Sequence, residues 1–248
     1  MDYKKKFVLF LTIFLIGFSF VRFVGEDLYI LAHQDLGGIG WLFSTIGLIF
    51  SILSGFLIQH LWDKWERVQK VVLEEIHVLD HILMFATPDS DFKLKTKDII
   101  TLYVKHIIEK EWSPNTPLLE SNEATLLLKE LHDEVFASQN SGGYLGNKGV
   151  LTKLMNSLFY TREKRILLIT RRMPYIIKNT FILSASLVIF LSLFVAIQSI
   201  VLDLIFTVSI GSLVFAIYLI IDDMDDILSP GEWHVSTKLY KQFLKKIE

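Results

Sequence analysis

The stretch "GWLFSTIGLIFSILSGFLIQHL", Gly40–Leu61, decides the fold class because it contains no charged side chain over its whole length. A helix that crosses a bilayer needs about 20 mostly apolar residues, at a rise of about 1.5 Å per residue. Three other stretches also meet this requirement. The four predicted membrane spans are Phe7–Val24, Gly40–Leu61, Asn179–Gln198 and about Val201–Ile221. Only a few residues separate the last two, so they are predicted to form an antiparallel hairpin.

The composition indicates a membrane protein and excludes several other classes. Hydrophobic residues make up 52% of the chain and its mean hydropathy is +0.44, which is more than a soluble domain needs to fill its core. The net charge is −2 and no nucleic-acid-binding motif is present, so we expect no nucleic-acid partner. The absence of cysteine excludes disulfides, thiolate metal sites and cysteine nucleophiles.

The distribution of basic residues predicts the orientation of the spans. Three lysines precede the first span, 17 Lys or Arg residues lie between the second and third spans, and four lysines follow the fourth. The one remaining basic residue, Arg22, lies at the far end of the first span. Because cytoplasmic loops are enriched in Lys and Arg, we predict a multi-pass protein of the cell membrane with both termini in the cytoplasm.

The predicted organisation has four segments. They are spans one and two (1–61), a cytoplasmic helical domain (62–178), the hairpin of spans three and four (179–221) and a cytoplasmic C-terminal segment (222–248). Trp65, Val68 and Val72 recur at steps of three and four, which extends the second span as an amphipathic helix. We expect Pro88 to end this helix and Pro174 to kink the chain where it enters the bilayer. The predicted fold is an all-α membrane protein with four transmembrane helices and a helical cytoplasmic domain.

The second span and the segments after it resemble a known family. Gly55 and Phe56 are followed, eight and nine residues after the Phe, by Lys64 and Trp65, the interval at which bestrophins have a Gly-Phe and an Arg-Trp pair. The segments "EKEW", "TREKRILLITRRMP" and "DDILSPGEWHVS" are more similar to the bacterial bestrophin-like domain family. The resemblance covers most of the chain from Ser51 onward. It implies a homo-oligomer, a pentamer in bestrophins, around an ion pore lined by the second span, with chloride as the expected permeant ion.

The resemblance also implies which residues form the narrow part of the pore, the neck. The Gly-Phe anchor places the neck at Leu48, Ile52 and Phe56, and their i, i+4, i+8 spacing puts them on one helix face. A ring of such side chains would form an apolar constriction that gates by wetting and dewetting. Periodicity alone favours another interpretation, in which the stripe faces lipid or a neighbouring helix. Lys64 stands where bestrophins have Arg, and it lacks the planar fork that a bidentate contact needs.

The acidic segment after the fourth span has two interpretations. Its four aspartates are Asp222, Asp223, Asp225 and Asp226. A helix C-terminus carries partial negative charge, so acids at this position need compensation. Ion pairs with Arg171, Arg172 and Lys178, which precede the third span, would supply it. The alternative is bound Ca²⁺, since carboxylate oxygens suit this ion and bestrophins have an acidic Ca²⁺-binding clasp at a similar position, although "DDMDDILSPG" is not an EF-hand loop.

These patterns together predict an oligomeric bestrophin-like ion channel. The alternative is a non-conducting membrane-anchored scaffold or sensor, whose cytoplasmic helical domain binds a partner. A pore-lining ring would not tolerate a bulky or charged side chain at Ile52, whereas a scaffold would. We expect no enzymatic activity, because no pair of ionisable groups with catalytic spacing is evident. The expected partners are the lipid bilayer, other copies of the chain and the permeant ions.

Overall fold

The computed structural model describes residues 3–23, 36–86, 90–112, 122–140, 148–195, 197, 199–229 and 231–248. The predicted all-α fold is confirmed, because these residues form helices and no strand. In chain order the helices are α1 Tyr3–Phe23, α2 Leu36–Phe85, α3 Ser90–His106, α4 Asn122–Asn140, α5 Lys148–Thr170, α6 Tyr175–Ser192, α7 Ile200–Asp225 and α8 Lys238–Ile247. A π-helical turn, Ile107–Glu111, extends α3.

Four helical segments, the third of which contains both α5 and α6, are long and apolar enough to include a membrane span, in agreement with the prediction. They are Lys4–Phe23, Gly37–Phe85, Gly149–Ser192 and Ile200–Asp225. Helix α2 is 50 residues long, because the amphipathic pattern after Leu61 continues the helix without a Gly or Pro. Its length of about 75 Å is more than twice the ~30 Å thickness of a hydrocarbon core. Helix α2 therefore contains a span and an extension beyond it, while Pro88 lies outside the described residues.

The chain divides into two compact units. We call Met1–Trp62 with Met173–Asp225 the span unit, and Asp63–Arg172 with Asp226–Glu248 the bundle unit. The C-terminal residues thus belong to the same unit as the long segment between the second and third spans.

Aromatic side chains and one glycine pack the span unit. The rings of Phe10 in α1 and Phe215 in α7 are stacked, with centroids 4.0 Å apart. A Cβ atom at Gly211 would lie 2.8 Å from Cζ of Phe14, so the missing side chain makes room for this ring. Helix α2 contacts α6 through Phe50 and Phe181, whose ring centroids are 5.7 Å apart. Close packing of this kind needs small residues where large rings meet a helix backbone.

The predicted kink at Pro174 is instead a complete interruption of the helix. Helix α5 ends at Thr170 and α6 begins at Tyr175, with Pro174 as the N-cap residue in an extended conformation, ψ 134°. Proline has no N–H and disfavours the helical conformation of the residue before it, so the ladder of helical hydrogen bonds cannot continue. The N–H of Met173 donates to Asp225 Oδ1 at 2.9 Å. The disturbance expected at Pro174 is therefore a break between two helices.

An apolar core holds the bundle unit together. Val68, Val72 and Leu79, on the predicted inner face of α2, are buried, and α8 contributes Tyr240 and Phe243. Complete burial of a large apolar side chain stabilises a fold by about 1.5–3 kcal/mol. The C-terminal helix is therefore an integral part of this core.

Candidate functional site

The three predicted neck residues lie on a face of α2 that the same chain leaves uncovered. Leu48, Ile52 and Phe56 are 62%, 53% and 72% exposed. The opposite face of α2 is packed, since Phe50 and Leu57 are buried. An uncovered apolar face on a membrane-spanning helix contacts lipid, another subunit or a pore. The geometry of the single chain is compatible with each of these three surroundings.

Small residues line the face of α2 beside the neck residues. They are Gly40, Ser44, Gly47, Ser51 and Gly55. A Cβ atom added at Gly40, Gly47 or Gly55 would meet no atom of the chain within 4 Å. The fold of one chain therefore does not need these glycines for close packing. In membrane helices, small residues allow a second helix to approach closely.

The motif taken from the family resemblance extends along α2 into both units. Gly55 belongs to the span unit, whereas Lys64 and Trp65 belong to the bundle unit. Lys64 is buried. The Trp65 ring contacts the Trp233 ring edge to face, with centroids 5.7 Å apart. This contact packs the segment that follows α7 against the bundle part of α2.

In the span unit, two aspartates at the end of α7 contact the beginning of α6. Lys178 Nζ lies 3.1 Å from Asp222 Oδ1 and 3.4 Å from Asp225 Oδ2. Lys6 Nζ is 3.7 Å from Asp222 Oδ2, and Asp225 Oδ1 accepts the N–H of Met173. The first turn of a helix carries partial positive charge. The beginning of α6 therefore stabilises carboxylates that the C-terminus of α7 alone would disfavour.

In the bundle unit, Asp226 pairs with Arg172. Arg172 Nη2 lies 2.9 Å from Asp226 Oδ2, and the Ser229 hydroxyl donates to the same oxygen at 2.7 Å. Burial raises the pKa of Asp226, but the hydrogen bonds from Ser229 and Arg172 outweigh it and hold the pKa below its ordinary value. Arg171 is exposed, whereas Asp223 is buried.

The donor set at these aspartates does not fit a calcium ion. Across the described ranges, no group of three or more His, Asp or Glu side chains is arranged to hold a metal ion. Oxygens of Asp222, Asp225 and Asp226 accept hydrogen bonds from Lys, Arg, Ser and backbone donors. Ca²⁺ needs roughly six to eight oxygen ligands around one point. Ca²⁺ binding at this segment stays a prediction.

The sequence reasoning missed a buried charge cluster in the bundle unit. Arg165 of α5 donates from Nε to Glu75 Oε2 at 2.6 Å and from Nη2 to Glu111 Oε2 at 2.7 Å. Arg162 Nη2 donates to Glu111 Oε1 at 2.9 Å. Glu75, Glu111 and Arg165 are 0% exposed. Two guanidinium groups thus balance two carboxylates, and of these four residues only Arg162 is partly exposed, at 8%.

Two tyrosines complete the hydrogen bonding of Glu75. The hydroxyl of Tyr103 donates to Oε1 at 2.5 Å, and that of Tyr240 in α8 donates to Oε2 at 2.6 Å. Burial raises the pKa of both hydroxyls well above the ordinary value, and the negative charge of Glu75 adds to this effect. The tyrosines therefore remain protonated donors. Through these two tyrosines and Arg165, Glu75 connects α2 with α3, α5 and α8.

A sequence signal exists for part of this cluster. Glu75 is in phase with Val72 and Leu79, so an acidic residue lies on the stripe that should be buried. Because a carboxylate is almost never fully buried without a partner, this position predicts a basic partner. Glu111 has no such signal, since it lies in the π-helical turn, whose wider spacing changes the phase of the helix.

The fold and these sites define an all-α membrane protein with four helical spans and a separate helical bundle unit. The chain belongs to the bestrophin-like family, because the Bestrophin-like domain matches residues 8–229. No protein with a curated description matches the chain.

Solved structures of bacterial bestrophin homologs from Klebsiella pneumoniae have a similar fold. One variant of this homolog matches with a TM-score of 0.78 at 13% identity, over 100% of this chain and 97% of that chain. A second variant has a TM-score of 0.77 at 12% identity, over 98% and 99%. The homolog solved with zinc phasing gives 0.73 at 13% identity, over 94% and 97%. These values confirm the predicted bestrophin-like fold.

Proposed function

We propose that this chain forms a homo-oligomeric, anion-conducting channel, pentameric as in bestrophins, with an apolar neck of Leu48, Ile52 and Phe56. Its membership of the bestrophin-like family supports this function. In the proposed assembly, copies of α2 surround a shared axis and turn these three side chains inward. The apolar ring would hold back water and ions in its dry state and admit them when wetted.

The observation that carries the proposal is the uncovered face of α2. Phe56 is 72% exposed although α2 is packed on its opposite side. Gly47 and Gly55, beside this face, leave space that no atom of the same chain fills. A neighbouring α2 helix could approach along these small residues. The two features together suit a ring of α2 helices with the larger apolar residues toward the axis.

The preference for anions, with chloride as the main permeant ion, comes from the family. No charged residue lies between Gly40 and Leu61, so the neck itself offers no side-chain charge to select the sign of an ion. The basic residues on the segments between and beside the spans further support placement in the cell membrane with both termini in the cytoplasm. We propose a transport role and no catalytic one.

Ion flux from liposomes tests this function. Purified wild-type protein is reconstituted, its subunit number is determined by mass measurement, and chloride efflux is recorded. Phe56→Ala should raise the flux, because it widens the ring. Phe20→Ala is the matched control, since Phe20 is also exposed (60%) but lies on α1. It should leave the flux unchanged.

A charged side chain in the neck provides the discriminating experiment. Ile52→Glu should abolish chloride flux while the oligomer still forms, because it places a ring of negative charge in the path of the anion. Absence of flux from the wild-type oligomer would overturn the channel proposal and favour the membrane-anchored scaffold. A monomer in detergent and in lipid nanodiscs would overturn the assembly on which the neck depends.

A further inference from the structure

The span unit contains an ion pair that is almost completely buried, between Arg22 and Asp203. Arg22 Nε of α1 lies 2.6 Å from Asp203 Oδ2 of α7, and the two side chains are 3% and 1% exposed. Arg22 Nη1 also donates to the carbonyl oxygen of Leu193 at 2.6 Å. The Arg22 guanidinium carbon lies 5.1 Å from the centroid of the Phe18 ring. Arg22 therefore contacts α1, the end of α6 and the beginning of α7 at once.

The position of this pair along the span is defined by a second contact between the same helices. Lys6 of α1 and Asp222 of α7 form an ion pair, 3.7 Å from Nζ to Oδ2. Lys6 and Arg22 are 16 residues apart, about 24 Å along the helix. The Arg22–Asp203 pair thus lies at the opposite end of the α1–α7 contact. The two ion pairs also differ in burial, since the side chains of Lys6 and Asp222 are about one-third exposed, whereas those of Arg22 and Asp203 are buried.

Neither partner of the buried pair is stable alone in this position. Removing one charge of a buried pair leaves the other without water and without a counter-ion, which is strongly destabilising. Within a membrane-spanning segment this cost stays high, because there is no surrounding water to solvate the unpaired charge. The fold should therefore be stable with both charges or with neither, but not with one of them alone.

The direction of the pair is set by two helix ends. Leu193 is the C-cap residue of α6, and the carbonyl groups at a helix C-terminus carry partial negative charge, which favours the Arg22 cation. Asp203 lies in the first turn of α7, where the helix N-terminus carries partial positive charge and favours an anion. An exchange of the two charges would place each of them against the unfavourable helix end.

We propose that Arg22, Asp203 and the Leu193 carbonyl form a one-way lock that holds α1 to the α6–α7 hairpin. The lock requires the cation on α1 and the anion on α7. It also accounts for the one basic residue that departs from the clustering of Lys and Arg on one side of the spans, since Asp203 neutralises Arg22 within the fold. The lock does not depend on ion conduction, so it stands or fails separately from the proposed channel.

Thermal unfolding of the full chain in detergent tests the lock. Arg22→Leu and Asp203→Leu should each lower the midpoint by about 10 °C. The double variant Arg22→Leu/Asp203→Leu should lower it by less than either single variant, because no isolated charge remains. Lys6→Leu is the matched control for a pair between the same helices, and it should change the midpoint by about 2 °C at most.

The charge exchange tests the direction of the lock. Arg22→Asp/Asp203→Arg should have a midpoint no higher than that of the single variants, because both helix ends oppose the exchanged charges. Recovery of the wild-type midpoint would overturn the one-way lock. Unchanged midpoints in both single variants, or a double variant equal to the sum of the single effects, would overturn the lock as a whole.

Conservative variants keep the test decisive if a leucine variant does not accumulate. Arg22→Lys retains the charge but has no fork with which to bind both Asp203 and the Leu193 carbonyl. Its midpoint should therefore fall measurably, whereas a midpoint equal to that of the wild type would contradict the proposed geometry.

Discussion

Arg165 and Glu75 form a completely buried ion pair although 90 residues separate them in sequence, with 2.6 Å between Nε and Oε2. The same guanidinium group also binds Glu111, which Arg162 shares. Burial lowers the pKa of Arg165, but the charge of Glu75 and the other acidic groups outweigh it and raise the pKa well above its ordinary value. Arg165 therefore remains charged in the core of the bundle unit.

Replacement of Arg165 should strongly destabilise the bundle unit. Arg165→Met leaves Glu75 buried without a cation, and it leaves Glu111 with Arg162 as its remaining guanidinium partner. We expect a loss of about 3–5 kcal/mol in unfolding free energy. Lys164→Met is the neighbouring control, because Lys164 pairs with Glu74 near the surface, and it should cost no more than about 1 kcal/mol. Chemical denaturation of the two variants measures the difference. Equal effects would show that the buried position of the pair has no special importance.

Acid should weaken the bundle unit through Glu111. Burial raises the pKa of Glu111, but Arg165 and Arg162 outweigh it, so its folded-state pKa lies below the ordinary value of 4.5. A depressed carboxyl pKa contributes stability that is present above the unfolded-state pKa and is lost as the pH falls through the folded-state pKa. We therefore expect the unfolding midpoint to decrease below about pH 4.5.

Glu111→Gln identifies the residue responsible. This variant should be less stable at neutral pH, because Arg162 and Arg165 lose an anionic partner, and its stability should depend less on pH in the acid range. Glu109→Gln is the control, since Glu109 is an exposed residue in the same π-helical turn. An acid profile of Glu111→Gln identical in shape to that of the wild type would assign the pH dependence to other groups.

The sequence predicts well the elements that depend only on a local pattern of residues, which are the spans and the extension of α2. The spans follow from uninterrupted apolar length, and the extension of α2 follows from the recurrence of Val68, Val72 and Leu79. The break at Pro174 is only partly predictable. Proline indicates a disturbance of the helix, but the sequence does not reveal that Asp225, 52 residues away, accepts the N–H of Met173 at the break.

Pairings between distant residues are less accessible from sequence. Arg22 and Asp203 are 181 residues apart, and the sequence contains no periodic relation between them. Glu75 could have been recognised from its phase on α2, but its partner Arg165 could not have been chosen among the many basic residues. The neck stays a prediction for another reason, since its surroundings depend on other copies of the chain.

The contact between Gly211 and Phe14 predicts a sensitive position in the span unit. Even the Cβ of alanine at position 211 would lie 2.8 Å from Phe14 Cζ, and Phe14 is itself buried. Gly211→Ala should therefore cost about 1–3 kcal/mol through overpacking. Gly17→Ala is the control, because a Cβ there would meet no atom within 4 Å. Thermal unfolding in detergent should show a lower midpoint for Gly211→Ala only.

A second substitution separates the clash from other effects at Gly211. Phe14→Leu shortens the opposing side chain, so it should destabilise the wild type but recover part of the stability of Gly211→Ala. Purely additive losses would contradict a direct clash between the two positions.

Gly47 provides a test of assembly that leaves the single chain intact. Because no atom of the chain lies within 4 Å of a Cβ at Gly47, Gly47→Leu should fold normally and retain its helix content. If α2 packs against α2 of a neighbouring copy, the larger side chain should separate the two helices. We expect at least a tenfold loss of oligomer, which corresponds to about 1.4 kcal/mol, in mass measurements of the detergent-solubilised protein.

Gly17→Leu places the same side chain at an equally open position on α1 and should leave the subunit number unchanged. An intact oligomer with Gly47→Leu would place this face of α2 against lipid and remove the basis for a ring of α2 helices.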